Sequence, residues 1–137
     1  MICAGQSERE SLMYEITVLS HFSAAHRLRF LHGKCEELHG HNWKVEVSVT
    51  SNRLGKEGVA IDFGILKQKL EKVLKPFDHT YLNDLPHFSE REPSSENIAK
   101  YIFDKLKQEL NRFPVSIKKV TAWESETASA SYLGKKE

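Results

Sequence analysis

The sequence predicts a single α+β domain in which two helices cover one face of a four-stranded antiparallel sheet. Its 137 residues suit one domain. Segments that alternate apolar and polar residues come in pairs near each end of the chain, and two segments between them repeat apolar residues at helical spacing. Paired strands with helices between them, in the order β-β-α-α-β-β, favour an antiparallel sheet. Its outer strands would be exposed edges, so we expect them to pair with other subunits.

The first two strands are predicted over residues 14–22 and 41–50. Residues 14–22 are rich in β-forming side chains and roughly alternate. The second strand alternates more cleanly, and one of its faces carries four apolar residues: Trp43, Val45, Val47 and Val49. Residues 1–12 show no such pattern, so we interpret them as an N-terminal extension and assign residues 13–137 to the domain.

The two helices and the last two strands follow in order. Asp62 is a suitable N-cap for a helix that ends near Leu74. A second helix is predicted after residues 93–95, with an apolar stripe of Ile98, Ile102, Leu106 and Leu110. Residues 115–124 and 128–133 then form two short strands.

The charge balance argues against two classes of partner. Twenty basic and nineteen acidic side chains leave a formal charge of +1, which does not favour binding of nucleic acid or of an anionic membrane through bulk charge.

No apolar run is long enough for a transmembrane helix, and the N-terminus lacks the apolar stretch of a signal peptide. We therefore expect a cytoplasmic protein.

Histidines form the clearest functional signal, because five of the seven lie between positions 21 and 41. His39 and His41 are two residues apart on a predicted strand, so their side chains point to the same face. A catalytic zinc site needs a third ligand and keeps its fourth position open. His26 is the best candidate, with His21 and His32 as alternatives. Three neutral imidazoles suit zinc, although ligand type alone does not exclude copper, nickel or iron.

The two cysteines do not form a disulfide framework. Cys3 belongs to the polar N-terminal segment, whereas Cys35 lies in a turn-like segment between histidines. A thiol in basic, accessible surroundings is a candidate reactive group. Alternatively, Cys35 is a fourth zinc ligand, which would make the site closed and structural.

Carboxylates mark three further candidate positions. Asp78 lies next to His79 and either orients that imidazole or caps a turn. Glu124, at a strand end, either accepts two hydrogen bonds from a planar amidine-like group or is solvated. Glu96 lies near the start of the second helix, where a negative charge is favourable in any case.

Taken together, these motifs resemble those of the 6-pyruvoyltetrahydropterin synthase family. The matching motifs are Ser23-Ala24-Ala25-His26-Arg27-Leu28, Cys35-x-x-x-His39-Gly40-His41-Asn42, Asp78-His79 followed by Asn83, Pro93-Ser94-Ser95-Glu96-Asn97, and the Glu124 segment. The resemblance covers roughly residues 14–134. The three residues between Cys35 and His39 resemble the 6-carboxytetrahydropterin synthase (QueD) branch.

The resemblance implies the tunnelling fold (T-fold), in which trimers close their sheets into a barrel and two trimers stack as a homohexamer. Active sites would then lie between subunits. The implied substrate is a small molecule, 7,8-dihydroneopterin triphosphate. The implied products are 6-carboxytetrahydropterin, acetaldehyde and triphosphate, a step of queuosine biosynthesis. Two alternatives stay open: a 6-pyruvoyltetrahydropterin synthase acting on the same kind of substrate, and a non-catalytic, zinc-stabilised binding module.

The resemblance also implies residue roles. His26, His39 and His41 would bind one Zn²⁺ per subunit. Cys35 would be the general base as a thiolate, and Asp78 with His79 would complete the proton-transfer group. The pterin ring would be held by Glu124, with Glu96 as a second candidate, and Arg27 is a candidate for contact with the triphosphate. Ser94 and Ser95 stand where threonines are frequent in the family, which retains a hydroxyl.

Overall fold

The structure, a computed structural model, describes residues 12–30 and 37–136. Its sheet has the strand order β3-β1-β2-β4-β5 and carries two helices. The strands are β1 (Tyr14–His26), β2 (His39–Ser51), β3 (Thr80–Tyr81), β4 (Ser116–Trp123) and β5 (Ser129–Tyr132), and the helices are α1 (Phe63–Leu74) and α2 (Ser95–Glu109). The α+β class and the order of the six predicted elements are confirmed.

The predicted four-stranded sheet is wrong in one respect, because the sheet has a fifth strand. β3 is two residues long and pairs in parallel with Ala24 and Ala25 of β1. Its backbone is held there by contacts from the preceding turn, since the His79 N–H donates to the Ser23 carbonyl at 2.6 Å. A strand this short has no alternation to detect, so the sequence pattern did not reveal it.

β1 and β2 are also longer than predicted at the ends that meet. Their antiparallel register pairs Tyr14 with Ser51 at one end and His26 with His39 at the other. The sequence pattern fades near this end because Ala24, Ala25 and Gly40 carry almost no side chain, yet the ladder of paired residues continues through them. The extra length brings the histidines of both strands onto one ladder.

The hydrophobic core lies between the sheet and the two helices. The predicted N-cap of α1 is confirmed, since Asp62 accepts from the Ile65 N–H at 3.2 Å. The N-cap of α2 is Ser94, which accepts from the Asn97 N–H at 3.2 Å. The apolar stripes of both helices are buried against the inward side of β2, and the fully buried side chains include Trp43, Val45, Val47, Leu66, Leu70, Ile98, Ile102 and Leu106. Burial of each large apolar side chain contributes about 1.5–3 kcal/mol.

None of the helices in the described ranges combines the length and apolar character needed to cross a membrane.

The opposite face of the sheet is polar. Thr17 and Ser48 hydroxyls lie 3.0 Å apart across β1 and β2, and Thr121 and Ser131 hydroxyls lie 2.7 Å apart across β4 and β5. The inward face of the sheet therefore carries the core, and beyond one end of the core it carries the polar side chains described next.

Candidate metal centre

Four potential metal ligands converge at one end of the sheet, on the face that carries the helices. His26, His39, His41 and Glu124 each offer one ligand atom, and these atoms all lie within 4.8 Å of one another. The strand register explains the convergence. His26 is paired directly with His39, His41 is diagonal to it, and Glu124 follows the last residue of β4, Trp123, which is paired with β2.

Of the two alternative ligands, the described part of the chain contains His21, which does not join this group. His21 is exposed on β1, at a position that alternates with the buried Phe22 and so faces the other side of the sheet. His32 lies outside the described residues. Of the three candidates for the third ligand, the structure brings His26 to the pair.

The tautomers of His26 and His39 follow from the groups that their Nδ1 atoms contact. His26 Nδ1 lies 2.7 Å from the carbonyl oxygen of Pro93, and His39 Nδ1 lies 2.6 Å from that of Glu37. A carbonyl oxygen only accepts, so each Nδ1 carries the hydrogen and, in the neutral ring, each Nε2 presents a lone pair. Metal-binding histidines use this kind of outer partner to fix their orientation.

The Nε2 atoms of the two rings lie close together, beside a carboxylate. His26 Nε2 lies 3.0 Å from His39 Nε2, and Glu124 Oε1 lies 3.1 Å from the first and 3.4 Å from the second. His41 Nε2 is buried and lies 2.7 Å from Glu124 Oε1, but without the alignment of a hydrogen bond, and it has no hydrogen-bond partner within the described residues. A metal ion would satisfy all three nitrogens, so the residues fit such a group.

Electrostatics favour the forms that bind a metal. Burial lowers the pKa of His41 and outweighs the opposite effect of the Glu124 carboxylate. For Glu124, burial is the largest single influence and acts to raise the pKa, but the charge of His41 and the hydrogen bonds of His26 and His39 together leave the pKa lowered. A neutral His41 and an ionised Glu124 form a donor set suited to a divalent cation.

A second cluster joins the turn before β3 to β1. Asp78 Oδ1 accepts from the Ser23 N–H at 2.9 Å, and Asp78 Oδ2 lies 3.0 Å from His79 Nδ1. The hydrogen bond from Ser23 is the largest of the effects that lower the pKa of Asp78. His79 has a φ of 59°, the left-handed region that a side chain disfavours. Both oxygens of Asp78 are therefore engaged, and the exposed imidazole is oriented by its Nδ1.

A shallow groove of about 380 Å³ connects the two clusters, since its walls include His41 and Asn42 on one side and His79 and Thr80 on the other. Larger depressions of about 530 and 950 Å³ lie along α2, and their linings do not include the four potential metal ligands. We assign the candidate site to the shallow groove because His41, a member of the four-ligand group, lines it.

Two other predicted site residues, Arg27 and Glu96, lie outside the ligand group. Arg27 is exposed, and its backbone N–H and carbonyl both bond to the Asn83 side-chain amide at 2.9 Å. Glu96 is exposed in the first turn of α2 and is not part of the ligand group. Cys35 lies outside the described residues.

Sequence reasoning missed two features around the centre. The backbone carbonyls that orient His26 and His39 carry no sequence signal. Trp43, whose ring centre lies 5.1 Å from that of His26 and 5.6 Å from that of His41, was predicted only as a core residue. Its position two residues after His41, on the same strand face, would have shown that it borders the site.

Comparison with known proteins agrees with this geometry. The family model "6-pyruvoyl tetrahydropterin synthase" matches residues 15–135. The chain belongs to this family. It is 45% identical over 92 residues to the 6-carboxy-5,6,7,8-tetrahydropterin synthase of Synechocystis sp., covering 64% of this chain and 70% of that protein. It is also 30% identical over 142 residues to the Haemophilus influenzae protein of the same name, covering 88% and 99%.

Two further similarities concern the pyruvoyl branch and the fold. The human 6-pyruvoyl tetrahydrobiopterin synthase is 35% identical over 128 residues, covering 82% of this chain and 86% of that protein. The Caenorhabditis elegans 6-pyruvoyl tetrahydropterin synthase structure superposes with a TM-score of 0.77 at 31% identity, covering 90% and 96% of the two chains. The expected T-fold of the subunit is thereby confirmed, as an open five-stranded sheet with two helices.

Proposed function

We propose that this protein is a zinc-dependent lyase, 6-carboxytetrahydropterin synthase, which converts 7,8-dihydroneopterin triphosphate to 6-carboxytetrahydropterin, acetaldehyde and triphosphate. The observation that carries the proposal is the convergence of His26, His39 and His41 with Glu124, whose ligand atoms all lie within 4.8 Å of one another. Relatives that bear this name support the choice of reaction. Its place is queuosine biosynthesis in the cytoplasm.

The metal-binding residues would be His26, His39 and His41. Three imidazoles with an open fourth position are typical of catalytic zinc. When bound, zinc supplies a Lewis acid that lowers the pKa of a coordinated hydroxyl. The protein residues hold and orient the three rings, exclude water on the buried side of His26, and leave the groove toward His79 open to a small molecule.

Proton transfer would be carried by Cys35, Asp78 and His79. A carbon-bound proton must leave the side chain of the pterin, and a thiolate is a suitable base. Asp78 holds His79 through Nδ1, so Nε2 is the atom free to exchange a proton. His79 is 82% exposed at its side chain, which fits a site completed by a neighbouring subunit of a homohexamer.

Substrate binding would use Glu124 as the anchor of the pterin ring. Its lowered pKa keeps a carboxylate available to accept hydrogen bonds from an amino group and a ring N–H. Glu96 is a second candidate anchor, and the exposed Arg27 is a candidate for the triphosphate. Glu124 Oε1 now lies 2.7–3.4 Å from the three histidines, so pterin binding requires it to turn from them.

A second candidate reaction is that of 6-pyruvoyltetrahydropterin synthase. It is favoured by the human relative and by the Caenorhabditis elegans structure, both of which carry that activity in their names. Both reactions begin with removal of a proton from the same side chain, so the residues named above would serve either.

The deciding experiment is incubation of the zinc-loaded protein with 7,8-dihydroneopterin triphosphate, followed by mass analysis of the products. We expect a carboxylated tetrahydropterin and acetaldehyde. A pyruvoyl product would establish the second reaction instead. If no pterin is consumed and the metal has Cys35 as a fourth ligand without water, the protein is a zinc-stabilised binding module.

A further inference from the structure

Two successive backbone carbonyls connect the start of α2 to the candidate metal centre. The Pro93 carbonyl accepts from His26 Nδ1 at 2.7 Å, and the Glu92 carbonyl accepts from Asn97 Nδ2 at 2.9 Å. Asn97 also donates its backbone N–H to the Ser94 hydroxyl, the N-cap of α2. Asn97 thereby joins the helix start to the segment that orients the most buried histidine.

The side chain of Glu92 contacts the chain that leaves β1. Its carboxylate accepts from the Arg29 backbone N–H and, at 2.8 Å, from Arg29 Nη1. Arg29 Nη2 donates to the Phe88 carbonyl at 2.8 Å. The paired side chains are only 31% and 23% exposed, and two bonds to one carboxylate fix its position more firmly than a surface ion pair would.

Glu92 is therefore held from two sides. Its backbone carbonyl accepts a hydrogen bond from Asn97 in α2. Its carboxylate accepts one from Arg29, which lies in the segment after β1. Pro93, the next residue, is buried and cannot rotate about φ. These constraints, with the N-cap position of Ser94 after Pro93, limit where the Pro93 carbonyl points, and that carbonyl orients His26.

We propose that Asn97 and Glu92 are positioning residues that set the metal affinity of the centre through the Pro93 carbonyl and His26. This inference rests on the metal-binding part of the proposed function. Outer partners of metal-bound histidines typically change affinity by about 10–100-fold when they are removed. Neither residue touches the metal ligands directly, so their effect would pass through the orientation of one ring.

The test measures Zn²⁺ affinity of the metal-free protein by competition with a chromophoric chelator, which does not depend on turnover. Asn97→Asp keeps size and places an acid in the first turn of a helix, where it is tolerated, but removes the donor to the Glu92 carbonyl. We expect its Kd for zinc to rise about tenfold. Glu92→Gln keeps one acceptor oxygen and weakens the contact only in part, so it should raise the Kd by less than about tenfold.

Glu90→Gln is the matched control, because Glu90 is exposed two residues earlier and loses the same charge. Its Kd should equal that of the wild type. If folded Asn97→Asp and Glu92→Gln proteins bind zinc within twofold of the wild type, with only their thermal stability lowered, the residues are merely structural and the inference is wrong. If the wild type itself binds no zinc, the proposed function fails first.

Discussion

His26 Nε2 lies 3.0 Å from His39 Nε2, although each ring already places its other nitrogen against a backbone carbonyl. The contact exists because the β1–β2 register makes these residues direct partners. Two neutral rings in this state present lone pairs to each other. Together with His41 and the Glu124 carboxylate they form a donor set that suits a cation, which leads to the predictions that follow.

Replacement of His39 by alanine should abolish stoichiometric zinc binding. The loss should exceed the ~10–100-fold that removal of an outer partner costs, because a ligand itself is removed. Metal content after gel filtration measures this directly. His21→Ala is the control, since His21 is exposed on the other face of the sheet and should leave zinc content unchanged. Full zinc occupancy in His39→Ala would contradict the ligand assignment.

His79 provides a test of backbone strain. Its φ of 59° disfavours any side chain with a Cβ, at a cost of roughly 1–2 kcal/mol. His79→Gly should therefore be more stable than His79→Ala by about 1 kcal/mol, although both lose the contact with Asp78. Urea unfolding of the two variants measures the difference. Equal stabilities would show that the left-handed conformation at this position costs nothing.

Asp78 should contribute to stability in a pH-dependent way. Its pKa is lowered from the ordinary value of 3.8, first by the Ser23 N–H, so its contribution is fully present above that pH and is lost as the pH falls through the folded-state pKa. The difference in unfolding free energy between the wild type and Asp78→Asn should be fully present at about pH 5 and shrink below about 4. A difference that grows as the pH falls below about 4 would contradict this sign.

The core between α2 and the sheet should be intolerant of truncation. Leu106 is fully buried, so Leu106→Ala should lower the unfolding free energy by about 2–5 kcal/mol. Leu54→Ala is the comparison, because Leu54 is 42% exposed and should change stability far less. A small effect at position 106, measured by urea unfolding, would mean that the helix is not packed as described.

Local signals in the sequence predicted much of this fold. Asp62 and Ser94 cap the helices because their side chains bond the N–H groups of residues three positions later, a contact within one turn. β3 was not predictable in this way, since it exists only through its bonds to β1. Its formation depends on tertiary structure rather than on its two residues.

The residues of the site likewise divide into those that local sequence predicts and those that depend on tertiary structure. His39 and His41 were predicted as a pair from their spacing alone. His26 was preferred to His21 because it lies at the end of the first predicted strand, and the structure places it with the pair. Glu124 was predicted as a substrate anchor, and its position 2.7 Å from His41 follows from the register of three strands. The spacing of residues along the sequence does not specify that register.

The most direct test of the central claim is X-ray absorption spectroscopy of the zinc-loaded protein, together with its crystal structure at the zinc edge. The account predicts one zinc ion per chain, held at about 2.0–2.1 Å by the Nε2 atoms of His26, His39 and His41. Zinc bound elsewhere, or bound by fewer than these three nitrogens, would contradict it.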